Sequence, residues 1–117
     1  MITKEIKHCL VLMVMFFSFV NLAYASVIIN EVQISPTEGR FVELYNNGNS
    51  SVDLTNWYLQ RKTATGTFGS MVTKTSFEGK SIDAGGYFLI SKSGITGSDI
   101  VIDKLTLTES NSIQLKD

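Results

Sequence analysis

The sequence predicts an all-β domain behind an export signal, and three observations lead to that reading. Short runs rich in β-branched and aromatic residues recur along the chain, each closed by Gly, Asn, Asp or Ser. No stretch sustains a helical apolar period, so no long helix is expected. The first 25 residues differ in kind from everything after them. With 117 residues and a formal net charge of -1, the chain makes at most one ordinary domain.

The amino-terminal segment sets Lys4 and Lys7 around Glu5, runs through mostly apolar residues from Cys9 to Val20, and reaches Ala23-Tyr24-Ala25 before Ser26. A basic start, a short apolar run and a small-x-small site are the parts of a secretory signal peptide, with cleavage expected between Ala25 and Ser26. A spanning helix needs about 20 apolar residues, and Asn21 interrupts this run first. Cys9 stands at the beginning of the run, whereas a lipid-modified cysteine belongs at its end. The mature part is then residues 26–117, in a secreted, periplasmic or cell-surface location, with no membrane contact after cleavage.

That boundary governs the chemistry. His8 and Cys9 are the sole histidine and cysteine, so residues 26–117 have neither, and carry eight Lys and Arg against ten Asp and Glu, a net charge of -2. Ser-His-Asp and Cys-His nucleophilic arrangements and the usual zinc sites are therefore excluded there. Disulfides are excluded too, so a small exported domain must rely on its core. The lysines are scattered, and the absence of a basic patch argues against a nucleic-acid partner.

Strands are expected at Val27 to Ile34, Arg40 to Asn46, Trp57 to Lys62, Thr67 to Thr73, Lys80 to Ile82, Tyr87 to Ser91, Ile100 to Ile102 and Ser112 to Lys116. In the first, strict alternation puts Ile28, Val32 and Ile34 on one face with Asn30, and Ile29, Glu31 and Gln33 on the other. In the second, Val42 and Leu44 oppose Phe41, Glu43 and Tyr45. Strands apolar on one face suit two sheets packed together with water outside. Tyr87-Phe88-Leu89-Ile90 is apolar on both faces, which predicts an inner strand covered on its second side by a loop or by another domain.

The turns agree. Asn46-Asn47-Gly48-Asn49 supplies residues tolerant of positive φ before the Val52-Asp53-Leu54 segment, and Gly85-Gly86 does so before Tyr87. Pro36, the sole proline, lies between the first two strands, where its missing N–H costs no ladder bond. Thr63 to Ser70 reads as a hairpin tip or a ragged edge strand. Asn49-Ser50-Ser51 matches a glycosylation pattern and marks at most a surface loop.

Four stretches together carry a resemblance: Ile28-Ile29-Asn30-Glu31-Val32, Phe41-Val42-Glu43-Leu44-Tyr45-Asn46, Val52-Asp53-Leu54-Thr55-Asn56-Trp57-Tyr58-Leu59, and Ile82-Asp83-Ala84-Gly85-Gly86-Tyr87-Phe88-Leu89-Ile90. In order and spacing they resemble the lamin-tail domain over nearly all of residues 26–117. The resemblance implies an immunoglobulin-like β-sandwich of mainly antiparallel strands, found in nuclear lamins and also in secreted or surface proteins of bacteria and archaea, and the signal peptide points to the second group. Asn56 stands where the family usually has glycine, a mild change because Asn also visits the left-handed region. Family members generally continue past the segment resembling Asn111 to Asp117 into a further strand. That implies a domain incomplete at its carboxyl end, part of a longer protein or completed by another chain's strand.

The remaining candidates have ordinary alternatives. Glu31 and Glu43 would suit a hard cation, but a hydrogen bond or an ion pair with Arg40 or Arg61 is the expected role, and neither a metal nor a cofactor is expected. Asp99 and Asp103 lie too far apart along a strand to share an ion and read as solvated strand ends. Trp57, Leu44, Leu54 and Leu59 are assigned to the core, while Tyr45 and Tyr58 point away from it as candidates for a partner surface. No catalytic residue is assigned. The expectation is an exported, non-catalytic interaction or targeting module for an unidentified protein or cell-envelope ligand. Its rivals are an accessory module of a longer hydrolase or nuclease, and a structural subunit completed by a partner strand.

Overall fold

The computed structural model describes residues 26–117; the segment expected to be a signal peptide, with His8 and Cys9, lies outside the described residues. Among the described residues nine strands run in chain order: β1 (Val27–Gln33), β2 (Phe41–Asn46), β3 (Val52–Asp53), β4 (Tyr58–Lys62), β5 (Phe68–Val72), β6 (Ser81–Ile82), β7 (Tyr87–Ser91), β8 (Ile100–Val101) and β9 (Ser112–Lys116). A four-stranded sheet has the order β1-β2-β7-β8, a three-stranded sheet the order β5-β4-β9, and β3 pairs with β6 in a short ribbon. All pairs are antiparallel except β7 with β8. This is a β-sandwich of the immunoglobulin-like kind.

The core follows from alternation. Val42, Leu44 and Asn46 of β2 are buried while Phe41, Glu43 and Tyr45 are half-exposed. Phe88 and Ile90 of β7, Leu59 of β4, Val72 of β5 and Ile100 of β8 meet them from the other strands. Leu54, Phe77, Ile82, Leu105 and Leu107 close the ends from loops and short elements.

Three local features depart from strict expectation. The register between β1 and β2 slips between Ile29 and Glu31, pairing Ile29 with Leu44 but Glu31 with Glu43. Asn30 is thus the extra residue of a β-bulge, and the alternation inverts across it. Val27 and Ile29 face the core before the bulge, Val32 and Ile34 after it, and Ile28 is turned out to solvent. Strict period-two reading had grouped Ile28 with Val32.

The second feature is a single helical turn, α1 (Lys74–Phe77), which inserts Phe77 into the core against Phe88, ring centroids 6.0 Å apart. Four residues are too few to show a period in sequence. The third is the turn after β2, which does not use positive φ. Instead the Asn46 side chain holds it: Nδ2 donates to the Ser50 and Ile82 carbonyls at 2.8 and 3.0 Å, and Oδ1 accepts from Gly48 N at 3.0 Å. Gly48 is needed for space, since a Cβ there would sit 2.7 Å from Ser26 Cβ.

Asn56 does adopt the left-handed conformation, with φ of 73°. Trp57 N donates to Leu54 O across it, closing a turn whose third residue requires positive φ. The Thr63 to Ser70 stretch divides into a turn, closed by Gly66 N donating to Thr63 O, and the beginning of the edge strand β5.

Candidate functional site

The outward faces of the two sheets hold the polar and aromatic side chains available to a partner. On the four-stranded sheet, cross-strand register lines them up in rows. Ile28 of β1, Tyr45 of β2 and Tyr87 of β7 form the first row, Glu31, Glu43 and Leu89 the second, and Gln33, Phe41, Ser91 and Val101 the third.

The first row is apolar and open. The Tyr45 and Tyr87 rings stack with centroids 4.8 Å apart and an interplanar angle of 29°. Ile28 is 43% exposed and Tyr87 61%. Among the described residues no loop covers Tyr87, and of the two covers expected for the second side of β7, a loop or another domain, the loop is not present at this end. The loop after β7 reaches the other end of the strand, where the Ser91 hydroxyl bonds with Ser98 and donates to Lys92 O. The signal was present in sequence as a strand apolar on both faces, but alternation alone cannot say whether the second face is covered.

The second row sets Glu31 directly opposite Glu43. Glu43 Oε1 accepts from Asn30 Nδ2 at 2.8 Å, so the bulge residue supplies its neutral partner. Arg40, an expected partner for these carboxylates, instead donates through Nε to Ile34 O at 3.0 Å and through a terminal nitrogen to Leu105 O at 3.5 Å. Arg61 lies on the other sheet, opposite Ile113. The one ion pair among the described residues joins Lys92 to Glu38, 3.6 Å apart. Among the described residues no three His, Cys, Asp or Glu side chains gather as a metal site would need.

Tyr58, the other candidate for a partner surface, belongs to the outer face of the three-stranded sheet, so Tyr45 and Tyr58 do not share a site. Lys74 lies over the Tyr58 ring, 5.2 Å from its centroid, and Lys62 over Phe68 at 5.8 Å. Leu44, Leu54 and Leu59 are fully buried, and Trp57 is half-buried against the core cluster. Asp99, expected as a solvated strand end, clasps β7: its Oδ2 accepts from Leu89 N at 2.7 Å while its own N–H donates to Leu89 O at 2.8 Å. Asp103 is exposed.

A second feature lies at the open side of the sandwich. β1 is an edge of one sheet and β9 an edge of the other. A groove of about 280 Å³ is lined by Val32, Ile34, Leu107 and Ile113, with Thr108, Glu109 and Asn111 at its polar rim. Val32 is 40% exposed although its register partner Val42 is fully buried, so this core-facing valine has no layer above it.

Asp53 has a clear electrostatic signature. Its Oδ1 accepts from Thr55 N at 2.8 Å, and bonds from the Thr55 backbone and side chain hold its carboxyl below the ordinary carboxylate range. The Thr55 hydroxyl in turn accepts from Gly79 N at 3.2 Å, tying this turn to the end of α1. The arrangement is a turn lock.

Comparison with known families agrees with the geometry. The family model described as Lamin Tail Domain matches residues 21–117. No curated protein matches the chain.

Proposed function

Since the chain belongs to the lamin tail domain family, an immunoglobulin-like family of non-catalytic modules, we propose that it is an exported interaction module working through the outer face of its four-stranded sheet. The observation that carries this reading is the uncovered Tyr45–Tyr87 stack flanked by Ile28. Large amphipathic rings held on a rigid sheet contribute contact area at low entropic cost, and such residues dominate interaction surfaces. Export is supported by the Lys4-to-Ala25 signal pattern, which suits the secreted bacterial or archaeal kind of module. The partner is then a protein or envelope component outside the cytoplasm.

Retention of the tagged protein on the envelope fraction of its own host tests this reading. Tyr87→Ala combined with Tyr45→Ala is expected to weaken retention about tenfold, the factor that ~1.4 kcal/mol represents, while Asp103→Asn leaves it unchanged. Equal retention of all three folded proteins would refute the assignment of the surface.

The groove between β1 and β9 favours a second reading, a subunit completed by a partner's strand. Two edge strands offer unpaired main-chain groups, and the apolar groove between them would accept alternate side chains of an extended segment. Amide exchange distinguishes the two: protection of β9 amides on the envelope supports strand addition, and their continued exchange excludes it.

A further inference from the structure

The charges of this domain are sorted by sheet. The strands β1, β2, β7 and β8 contain Glu31 and Glu43 and no basic residue. The strands β4, β5 and β9 contain Arg61, Lys62 and Lys116 and no acidic residue. Alternation directs the relevant groups outward: Glu31 and Glu43 lie opposite each other on one outer face. On the other, Lys116 lies opposite Tyr58, and Lys62 opposite both Ser112 and Phe68, with Lys74 at the margin over Tyr58.

Among the described residues neither pattern is neutralised by an ion pair. Like charges directly opposite on neighbouring strands oppose pairing, and the hydrogen bond to Glu43 comes from an uncharged amide. The two faces are complementary in a second respect. The acidic one displays the tyrosine stack and Ile28, and the basic one displays Phe68, 42% exposed beneath the Lys62 ammonium.

We infer that the acidic, tyrosine-bearing face of the four-stranded sheet docks on the basic face of the three-stranded sheet of a second copy of this chain. The inference rests on the outer face being the working surface, and it names the partner of that face. Glu31 and Glu43 meet Lys62, the Tyr45–Tyr87 stack meets the neighbouring Phe68, and Lys116, about 13 Å further along the sheet, adds to the positive field of that face. The contact joins different faces, so each copy keeps one of each free and stacking is open-ended. A face of four strands, spaced ~4.8 Å and ~17 Å long, covers on the order of 300 Å². That size belongs to the small, transient class of interfaces. Its charges make association weak, concentration-dependent and sensitive to salt.

Sedimentation of the protein purified from its host, over a wide concentration range, provides the test. At low salt the weight-average mass is expected to rise with concentration, and to return to that of the monomer at about 1 M salt, where charges are screened beyond ~3 Å. The double variants Glu31→Lys with Glu43→Lys, and Lys62→Glu with Lys116→Glu, should each lose self-association, and their mixture should regain it. Where a reversal fails to fold, Glu43→Gln and Lys116→Gln replace it and should each weaken association. A wild-type protein that stays monomeric, or an assembly indifferent to all these changes, overturns the inference. Envelope retention separates the two readings: if wild type is monomeric yet retained through Tyr45 and Tyr87, the working surface stands and a second copy is not its partner.

Discussion

Asn46 shows how a single polar residue organises the end of a sandwich. It is fully buried, and its side chain makes three hydrogen bonds to main-chain groups of the turn and of β6. Asn46→Leu keeps the branched shape but leaves the Ser50 carbonyl and the Gly48 N–H without this partner, each costing about 1–3 kcal/mol, and leaves the Ile82 carbonyl only the Ser51 hydroxyl at 3.4 Å. The expected loss is at least ~2 kcal/mol in urea unfolding, read from a lower midpoint at unchanged slope. Asp53 acts at the same scale through charge. Its folded pKa is depressed, so its stabilising contribution is present above the unfolded carboxylate pKa and is lost as pH falls through the folded one. The melting temperature of Asp53→Asn should therefore lie below that of wild type at neutral pH, and the gap should close in acid. A gap that persists unchanged in acid would assign the effect to something other than the carboxylate.

At the scale of elements, β1 is the informative strand. Its first half and its second half bury opposite parities because Asn30 is inserted between them. Removing Asn30 restores strict alternation while leaving every other pair of the register as it is, so Val27 and Ile29 still face the core. Deletion of Asn30 should therefore cost no core burial and only the exposed bond to Glu43, a loss of ~1 kcal/mol or less in urea unfolding. Replacing Asn30 by Ser keeps the bulge but removes the same amide donor, and should cost about as much; a far larger loss on deletion would show that the bulge itself stabilises the sheet. The same bulge brings the Asn30 amide to Glu43, so one insertion shapes both the core face and the acidic face.

At the scale of the whole molecule, a core built without disulfides is closed at its ends by Leu54, Phe77, Leu105 and Leu107, all from outside the strands. Among the described residues the edge strands β1 and β9 flank the same groove on one side of the sandwich. The intact mass of the protein recovered from its natural host is expected to begin at Ser26, following cleavage after Ala25. A mass that retains residues 1–25 would instead make the apolar run from Cys9 to Val20 an uncleaved anchor, and would place the domain against a membrane.

Much of this architecture was legible in the residues. The fold class and the inward face of β2 follow from properties that act within a few neighbours, alternation and branching at Cβ, and the left-handed Asn56 from the glycine that the resembling family has there. The turn after β2 was legible as a turn and not as to mechanism, because its lock is a bond from Asn46 to Ile82, distant in the chain. The bulge at Asn30 was hidden, since register is a relation between two strands and only β2 reveals which residue of β1 is extra. Phe77 was hidden by the brevity of its helix. By itself the sequence determined that residues 26–117 lack thiol and imidazole chemistry and would build an all-β core, because composition and local alternation suffice for both. Tertiary structure alone decided that Tyr45 stands beside Tyr87 and apart from Tyr58, and that the acidic and basic residues face opposite ways, because strand pairing over long separations sets which side chains share a surface.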